Sequence, residues 1–139
     1  MEADRIRGNI GLNGLLAILD TSFLLLVIES GRDLLRLIEE RLGEPVEPVV
    51  PASVVGELNR LSAKEDRRGM AARLALKMVE KMRQLEHSSG GSVDDELMSL
   101  ASHFGYIVIT GDSALQKRLR RRGIKCIYVS RRLEVHILA

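Results

Sequence analysis

The sequence predicts an α/β fold in which helices cover both faces of a central parallel sheet. Short apolar runs of strand length, such as residues 16–19 and 106–110, alternate with longer segments whose apolar residues recur at helical spacing. Strands separated by helices are expected to run parallel, because each helix carries the chain back to the same end of the sheet. With 139 residues, the chain fits one domain spanning 1–139 around a single core.

In the first half of the chain, a glycine or proline marks most of the predicted boundaries. Strands are expected at residues 16–19 and 47–50, and helices at residues 23–42, from 51 onward and at 64–85. Gly31 is expected to divide the first helix. The last helix carries a stripe that recurs every four residues and predicts a buried face: Met70, Leu74, Met78 and Met82. Residues 1–14 lack such a pattern and are expected to form a loose N-terminal arm or an edge extension.

The second half of the chain continues the alternation. Helices are expected at residues 93–104 and 112–122, and strands at residues 106–110, 125–129 and, more weakly, 135–137. Residues 87–92, His-Ser-Ser-Gly-Gly-Ser, predict a loop that is too short to link two domains.

Composition excludes several classes of protein. The formal net charge is only +2, so charge alone does not indicate nucleic-acid binding, and no apolar run is long enough to span a membrane. The single cysteine, Cys126, excludes an intramolecular disulfide and a cysteine-rich zinc site. The N-terminus lacks a signal-peptide pattern, so a cytoplasmic protein is expected. The scattered histidines, His87, His103 and His136, lack the spacing of metal ligands and are expected at the surface.

Acidic residues recur where predicted strands end. Asp20 follows the first strand, and Asp112 follows the strand at 106–110 after Gly111. Glu57 lies one or two turns into the helix after the second strand, and Asp94 begins the helix after the loop. Because ligands bind outside the carboxyl ends of parallel strands, these acids can converge on one edge of the sheet.

A cluster of four carboxylates is expected to need a cation, because like charges close together repel. Mg²⁺ and Mn²⁺ prefer carboxylate and water oxygens as ligands. Such a cation activates water and neutralises phosphate charge, so the chemistry that fits is metal-assisted hydrolysis of a phosphodiester.

Each acid also has a structural alternative. Asp20 and Asp112 are ordinary N-caps for the helices that follow them, and Glu57 could be a solvated residue beside an apolar face. Ser92 and Asp95 form a capping box, which gives Asp95 a structural task and leaves Asp94 for the site, although Asp95 remains the alternative ligand. Three hydroxyl residues could hydrogen-bond the acids or a phosphate, or only make local turns: Thr21, Ser22 and Thr110.

The helix at 112–122 is strongly basic, and the charge is extended by Lys125, Arg131 and Arg132. Such a run is usually a solvated face, but this one follows Asp112 directly and could lead a nucleic-acid backbone toward the acids. The residues expected to bind RNA are Lys117, Arg118, Arg121 and Arg122. With two phenylalanines, two tyrosines and no tryptophan, platforms for stacking bases are scarce.

Together these blocks resemble the PIN-domain nucleases. The matching segments are Ile18-Leu19-Asp20-Thr21-Ser22, residues 49–58 around Glu57, residues 92–97 around Asp94, and Val108-Ile109-Thr110-Gly111-Asp112. The resemblance covers about residues 16–129. It looks closest to an archaeal branch that is similar to the ribosomal-RNA-processing PIN nucleases, and VapC-type toxins share the same motifs.

The resemblance implies a three-layer α/β/α fold with a central parallel sheet, and metal-dependent cleavage of RNA. It implies Asp20, Glu57, Asp94 and Asp112 as catalytic residues, the three aspartates as ligands of Mg²⁺ or Mn²⁺, and Ser22 and Thr110 as supporting residues. It also implies a homodimer, with an antitoxin or a ribosome-assembly factor as a further partner.

The resemblance leaves open whether the ribonuclease processes ribosomal RNA or acts as a VapC-type toxin. Two other functions also stay open at this point. One is a non-catalytic PIN-like module that binds RNA or sits in a ribosome-assembly complex. The other, a phosphoaspartate receiver or phosphatase built on Asp20, lacks the second acid expected two residues later, where Ser22 stands.

Overall fold

The computed structural model of the protein describes residues 10–11, 14–86 and 91–138, which form alternating strands and helices. The strands are β1 Ile10–Gly11, β2 Gly14–Leu19, β3 Val46–Pro51, β4 Arg83–Leu85, β5 Ile107–Thr110, β6 Cys126–Val129 and β7 Val135–Leu138. The helices are α1 Thr21–Ser30, α2 Leu34–Leu42, α3 Ala52–Ser62, α4 Arg67–Val79, α5 Val93–Phe104 and α6 Ser113–Arg121.

The strands form one mostly parallel sheet in the order β4-β3-β2-β5-β6-β7. Neighbours from β4 to β6 pair in parallel, β7 runs antiparallel to β6, and β1 pairs antiparallel with the start of β2. The predicted α/β class with a central parallel sheet is confirmed. From β2 the chain first builds outward through β3 to β4 and then returns to β5 on the other side. The space beyond the ends of β2 and β5 is therefore a topological switch point, where α/β proteins bind ligands.

The two central strands owe their position to continuous apolar sequence. In β2, Leu15 to Leu19 are all buried, and so is every residue of β5. A strand with helices on both faces has no solvated side, so its residues do not alternate between apolar and polar.

Gly31 divides the first predicted helix, as expected. It adopts a left-handed conformation with φ of 68°, and its N–H donates to the carbonyls of Val27 and Ile28. Glycine has no Cβ to oppose this geometry, so α1 ends here, and Asp33 then caps the start of α2.

The predicted helix at 64–85 is wrong at both ends. Asp66 accepts a hydrogen bond from the Gly69 N–H, so α4 begins at Arg67, and it ends at Val79. Residues Arg83–Leu85 instead form the edge strand β4, which pairs in parallel with β3. Pairing with an exposed strand edge outweighs the helical preference of three residues, a preference that is weak beside tertiary contacts.

The predicted burial of the methionine stripe is wrong for its first two residues. Met70 and Leu74 are 59% and 47% exposed, whereas the buried face of α4 is made of small residues and one valine: Gly69, Ala71, Ala72, Ala75 and Val79. A Cβ on Gly69 would collide with the carbonyl oxygen of Lys64. Met78 and Met82, the second half of the stripe, are partly buried and pack against the core, so only Met70 and Leu74 point outward.

The remaining predictions concern the ends and the loop. Residues 10, 11 and 14 belong to strands, which agrees with an edge extension, and the rest of the expected N-terminal arm lies outside the described residues. Residues 87–90 of the predicted loop also lie outside them. The weak last strand is present as β7. No helix in the described part of the chain is long and apolar enough to cross a membrane.

Candidate active site

Asp20 lies at the junction of β2 and α1, where it caps the helix. Its carboxylate accepts a hydrogen bond from the Phe23 N–H at 2.9 Å and from the Thr110 hydroxyl at 2.6 Å. The Ser22 hydroxyl lies 2.8 and 2.9 Å from the two carboxylate oxygens. With only 4% of its surface exposed, this acid is held by donors from two different strand ends.

Burial raises the pKa of Asp20 to about 6, despite three donors that oppose the shift. The hydrogen bonds from Thr110, the Phe23 N–H and Ser22 lower the pKa, while the nearby charge of Asp112 raises it further. Desolvation therefore dominates, as expected for a carboxylate removed from water without a cationic partner.

Two hydroxyls link Asp20 to the loop that carries Asp112. The Ser22 hydroxyl accepts a hydrogen bond from the Gly111 N–H at 3.0 Å, and the Thr110 hydroxyl accepts one from the Asp112 N–H at 2.9 Å. Each hydroxyl also donates to Asp20, so these bonds join segments about 90 residues apart rather than making local turns only. Ser22 and Thr110 thus fix the spacing of the two acids.

Asp112 caps α6, so the structural alternative for this residue is also correct. Its Oδ1 accepts hydrogen bonds from the N–H groups of Ala114 and Leu115, at 2.8 and 3.2 Å. Neither capping bond uses Oδ2. The capping geometry and a place in the site are therefore compatible, as they are for Asp20.

Asp94 lies at the start of α5 and faces a cation from α6. Ser92 caps this helix by accepting from the Asp95 N–H at 3.1 Å, as the capping box predicts. The Arg118 guanidinium lies 3.2 Å from Asp94 and 3.4 Å from Asp95. Burial raises the pKa of Asp94, Arg118 lowers it, and the charges of Asp112, Glu57 and Asp95 raise it again.

The four predicted acids line one cavity of about 270 Å³ at the switch point. Asp95 does not belong to its lining, whereas Asp94 does. The residues that surround the cavity are Asp20, Thr21, Ser22, Glu57, Leu61, Arg68, Val93, Asp94, Leu97 and Asp112. The structure therefore brings together the acids that sequence placed at strand ends and helix starts, and separates Asp94 from Asp95.

The residues around the cavity suit a hydrated divalent cation better than a bare one. Within residues 10–11, 14–86 and 91–138, no group of three His, Cys, Asp or Glu side chains is set close enough to hold a metal directly. Mg²⁺ keeps several of its waters and binds through one or two carboxylates, and an all-oxygen donor set matches it. The buried Thr21 hydroxyl, which has no partner in the described part of the chain, adds an oxygen to the cavity wall.

The basic residues predicted on α6 lie in different places. Arg118 pairs with Asp94 and Asp95, so its guanidinium already serves two acids of this chain. Lys117 and Arg121 line a separate cavity of about 410 Å³, and Arg122 lines another of about 370 Å³. Their contact with RNA stays a prediction.

A larger groove of about 970 Å³ adjoins the acidic cavity and shares Ser22, Arg68 and Asp112 with it. Arg68 had no signal in the sequence, because no pattern shows that this residue of α4 faces the acids. Tyr128 and His136 also line this groove, and only the pairing of β6 with β7 reveals that they are neighbours. His136 and His103 are exposed, as predicted, and His87 lies outside the described residues.

The profile of a known protein family matches the part of the chain that contains the acids and most of the fold. The profile of a family described as a PIN-like domain matches residues 17–132. The chain belongs to the PIN-like domain family. The resemblance expected from the sequence is thereby confirmed, and the matched range contains all four acids and every strand from β3 to β6.

Relatives of this PIN-like domain include a curated archaeal protein. The chain is similar to this protein, Ribonuclease VapC9 of Archaeoglobus fulgidus, with 33% identity over 130 residues that cover 93% of this chain and 91% of the relative.

Two solved structures share the fold of this PIN-like domain. The PIN domain endonuclease Utp24 matches with a TM-score of 0.69 and 24% identity, over 88% of this chain and 90% of that one. A domain of a functionally unknown protein from Methanocaldococcus jannaschii matches with a TM-score of 0.62 and 17% identity, over 83% and 91% of the two chains.

Proposed function

We propose that this PIN-like domain is an endoribonuclease that hydrolyses RNA phosphodiester bonds with the help of Mg²⁺ or Mn²⁺. The observation that carries the proposal is the joint position of Asp20, Glu57, Asp94 and Asp112 on one cavity at the switch point of the sheet. The similarity to a protein named Ribonuclease VapC9 supports RNA as the substrate class.

The three aspartates would hold the cation together, one or two of them directly and the rest through its bound waters. A bound divalent cation would neutralise the charge of the phosphate and make water a better nucleophile. Asp20 is set for this task by Ser22 and Thr110, and Asp112 by its capping bonds to α6. These fixed positions matter because ligands that need no rearrangement cost least on binding.

Glu57 would complete the site as an acceptor for a proton of the attacking water. It lines the cavity from α3, and its charge reaches Asp94 across it. The Thr21 hydroxyl, buried and without a partner among the described residues, would donate to a water or to a non-bridging phosphate oxygen. Both groups act by orientation and proton transfer.

The cation preference, a homodimer, and an antitoxin or ribosome-assembly partner are finer proposals that rest on the family resemblance. Titration of the metal-free protein with Mg²⁺ and with Mn²⁺ tests the first. Light scattering after size-exclusion chromatography tests the second, and co-purification from the source cell tests the third.

Cleavage of a labelled single-stranded RNA tests the proposed activity. We expect products with Mg²⁺ or Mn²⁺ and none in EDTA, and a loss of several orders of magnitude in Asp20→Asn, which keeps the helix cap but removes one charge. RNA binding without cleavage by the parent protein under every metal condition would instead support a non-catalytic RNA-binding module.

A further inference from the structure

The groove beside the acidic cavity shares part of its wall and is large enough for a nucleotide. It measures about 970 Å³, and Ser22, Arg68 and Asp112 belong to both spaces. An RNA strand whose scissile phosphate lies at the acids therefore has its neighbouring nucleotide at this groove.

One wall of the groove presents a pair of rings. Tyr128 on β6 and His136 on β7 are opposite each other in the antiparallel register, with ring centroids 5.8 Å apart and planes 23° from parallel. Tyr128 is partly buried and His136 is exposed, so His136 is the outer ring of a short stack. A base that adds to such a stack buries a π-face at a modest entropic cost.

The charged residues of the groove suit a whole nucleotide better than a bare backbone. Arg68, Arg131 and Arg132 can contact phosphates, whereas Glu29 and Glu134 are carboxylates on the same surface. A site for backbone alone would carry cations without acids, because acids repel phosphate. Carboxylates instead accept hydrogen bonds from the amino groups of bases, which side chains reach in RNA chiefly where the nucleotides are unpaired, because the major groove of an RNA duplex is too narrow to enter.

We propose that this groove binds one unpaired nucleotide next to the scissile phosphate, with its base stacked on His136 and its phosphates held by Arg68, Arg131 and Arg132. The inference rests on the proposed ribonuclease function and adds to it a dependence on the base at one position beside the cleaved bond. It assigns no role to the basic face of α6.

Binding of RNA with a single missing base tests this subsite. The protein is Asp20→Asn with Mg²⁺, so that RNA stays intact, and the probe is a fluorescent single-stranded RNA of about 10 nucleotides with one abasic position moved along it. We expect one position where the missing base weakens binding about tenfold, because a stacked base contributes roughly that much.

The same comparison in further variants assigns that position to the groove. With His136→Ala added, intact RNA should bind about tenfold more weakly and the abasic penalty should disappear, while His136→Phe should restore both. His103→Ala, an exposed histidine on α5, is the matched control and should leave the penalty unchanged. An unchanged penalty in His136→Ala, no abasic position that matters, or no binding of RNA at all would each overturn the subsite.

The subsite and the ribonuclease function fail in different ways. If the abasic penalty follows His136 but the parent protein never cleaves RNA with any metal, the subsite stands and the proposed activity falls. If the parent protein cleaves RNA and duplex RNA competes as well as single-stranded RNA, the activity stands and the subsite falls.

Discussion

At the scale of single residues, the buried Asp20 makes stability depend on pH. Its pKa is about 6 in the folded protein, above its ordinary value of 3.8, so the folded state holds the proton more tightly. The stabilisation from protonated Asp20 is complete below about pH 4 and is lost as the pH rises through about 6, by about 3 kcal/mol at most.

Denaturant unfolding in EDTA between pH 4 and 8 tests this effect by comparing the parent with Asp20→Asn. The variant carries no charge at this position, so the difference in unfolding free energy should move in its favour as the pH rises. In the variant, an amide nitrogen cannot accept the hydrogen bond that Thr110 donates to Asp20. The loss of this bond costs about 1 kcal/mol and offsets part of the stability that the variant gains at high pH. A difference that is the same at pH 4 and pH 8 would contradict the raised pKa.

A metal at these carboxylates should reverse part of the same effect. A cation binds ionised carboxylates, and Asp20 is mostly protonated at pH 5 and mostly ionised at pH 8. We therefore expect Mn²⁺ to raise the melting temperature by several degrees more at pH 8 than at pH 5. Equal shifts at both pH values would argue against a carboxylate metal site, and Asp20→Asn should show a smaller shift than the parent at pH 8.

Thr110 carries a second prediction at this scale, because its hydroxyl is both donor and acceptor. It donates to Asp20 at 2.6 Å and accepts from the Asp112 N–H at 2.9 Å. Thr110→Val keeps the shape but removes both bonds in a fully buried place, so it should destabilise the protein by about 1–3 kcal/mol. Thr110→Ser keeps the hydroxyl and should recover most of that loss in a denaturant titration. Equal stability of the Val variant and the parent would show that the two bonds contribute nothing.

At the scale of elements, α4 shows which side of a helix is buried when two patterns compete. Met70 and Leu74 form the more apolar stripe, yet the helix buries its small residues instead. Changing either exposed residue to Gln should alter the unfolding free energy by no more than about 0.5 kcal/mol. Ala72→Leu, on the buried side, should destabilise by about 1–3 kcal/mol because the packed interface has no room for the larger side chain. If the Gln variants lowered the melting temperature more than Ala72→Leu, the assignment of the buried face of α4 would be wrong.

The elements that sequence predicted well carry strong local signals. The runs that form β2 and β5 are apolar except for the first residue of β2, Gly14, and the last of β5, Thr110, and α5 is bounded by the Ser92 cap and by Gly105. The strand β4 has no sequence signal, because Arg83–Leu85 is short, has two polar residues out of three and pairs with β3 in a way that no local pattern records.

The site residues that follow strands directly were predictable from the sequence, whereas those brought in by packing between distant elements were not. Asp20 and Asp112 stand directly after strands, and a parallel sheet brings strand ends to one edge, so their convergence followed from topology. Arg68 and the ring of His136 reach the site only through the packing of α4 and the pairing of β7. Arg118 is expected from the sequence to face RNA, and its ion pair with Asp94 depends on where the fold places α6 relative to the start of α5.

At the scale of the whole molecule, acids from four separate segments meet where the order of strands reverses. Asp20 and Asp112 are anchored at helix starts beyond β2 and β5, while Glu57 and Asp94 come from α3 and α5. If these acids act as one unit, substituting one of them should lower the cleavage rate nearly as much as substituting two.

Single-turnover RNA cleavage with Mn²⁺ tests this joint action most directly, in Asp20→Asn, Asp112→Asn, the double variant, Asp94→Asn and Asp95→Asn. We predict that each cavity aspartate variant loses orders of magnitude in rate, that the double variant loses little more than either single one, and that Asp95→Asn stays within about tenfold of the parent. A single site built from these cavity carboxylates would be contradicted if the loss of rate in the double variant equalled the product of the two single losses. It would also be contradicted if Asp95→Asn were inactive while Asp94→Asn stayed active.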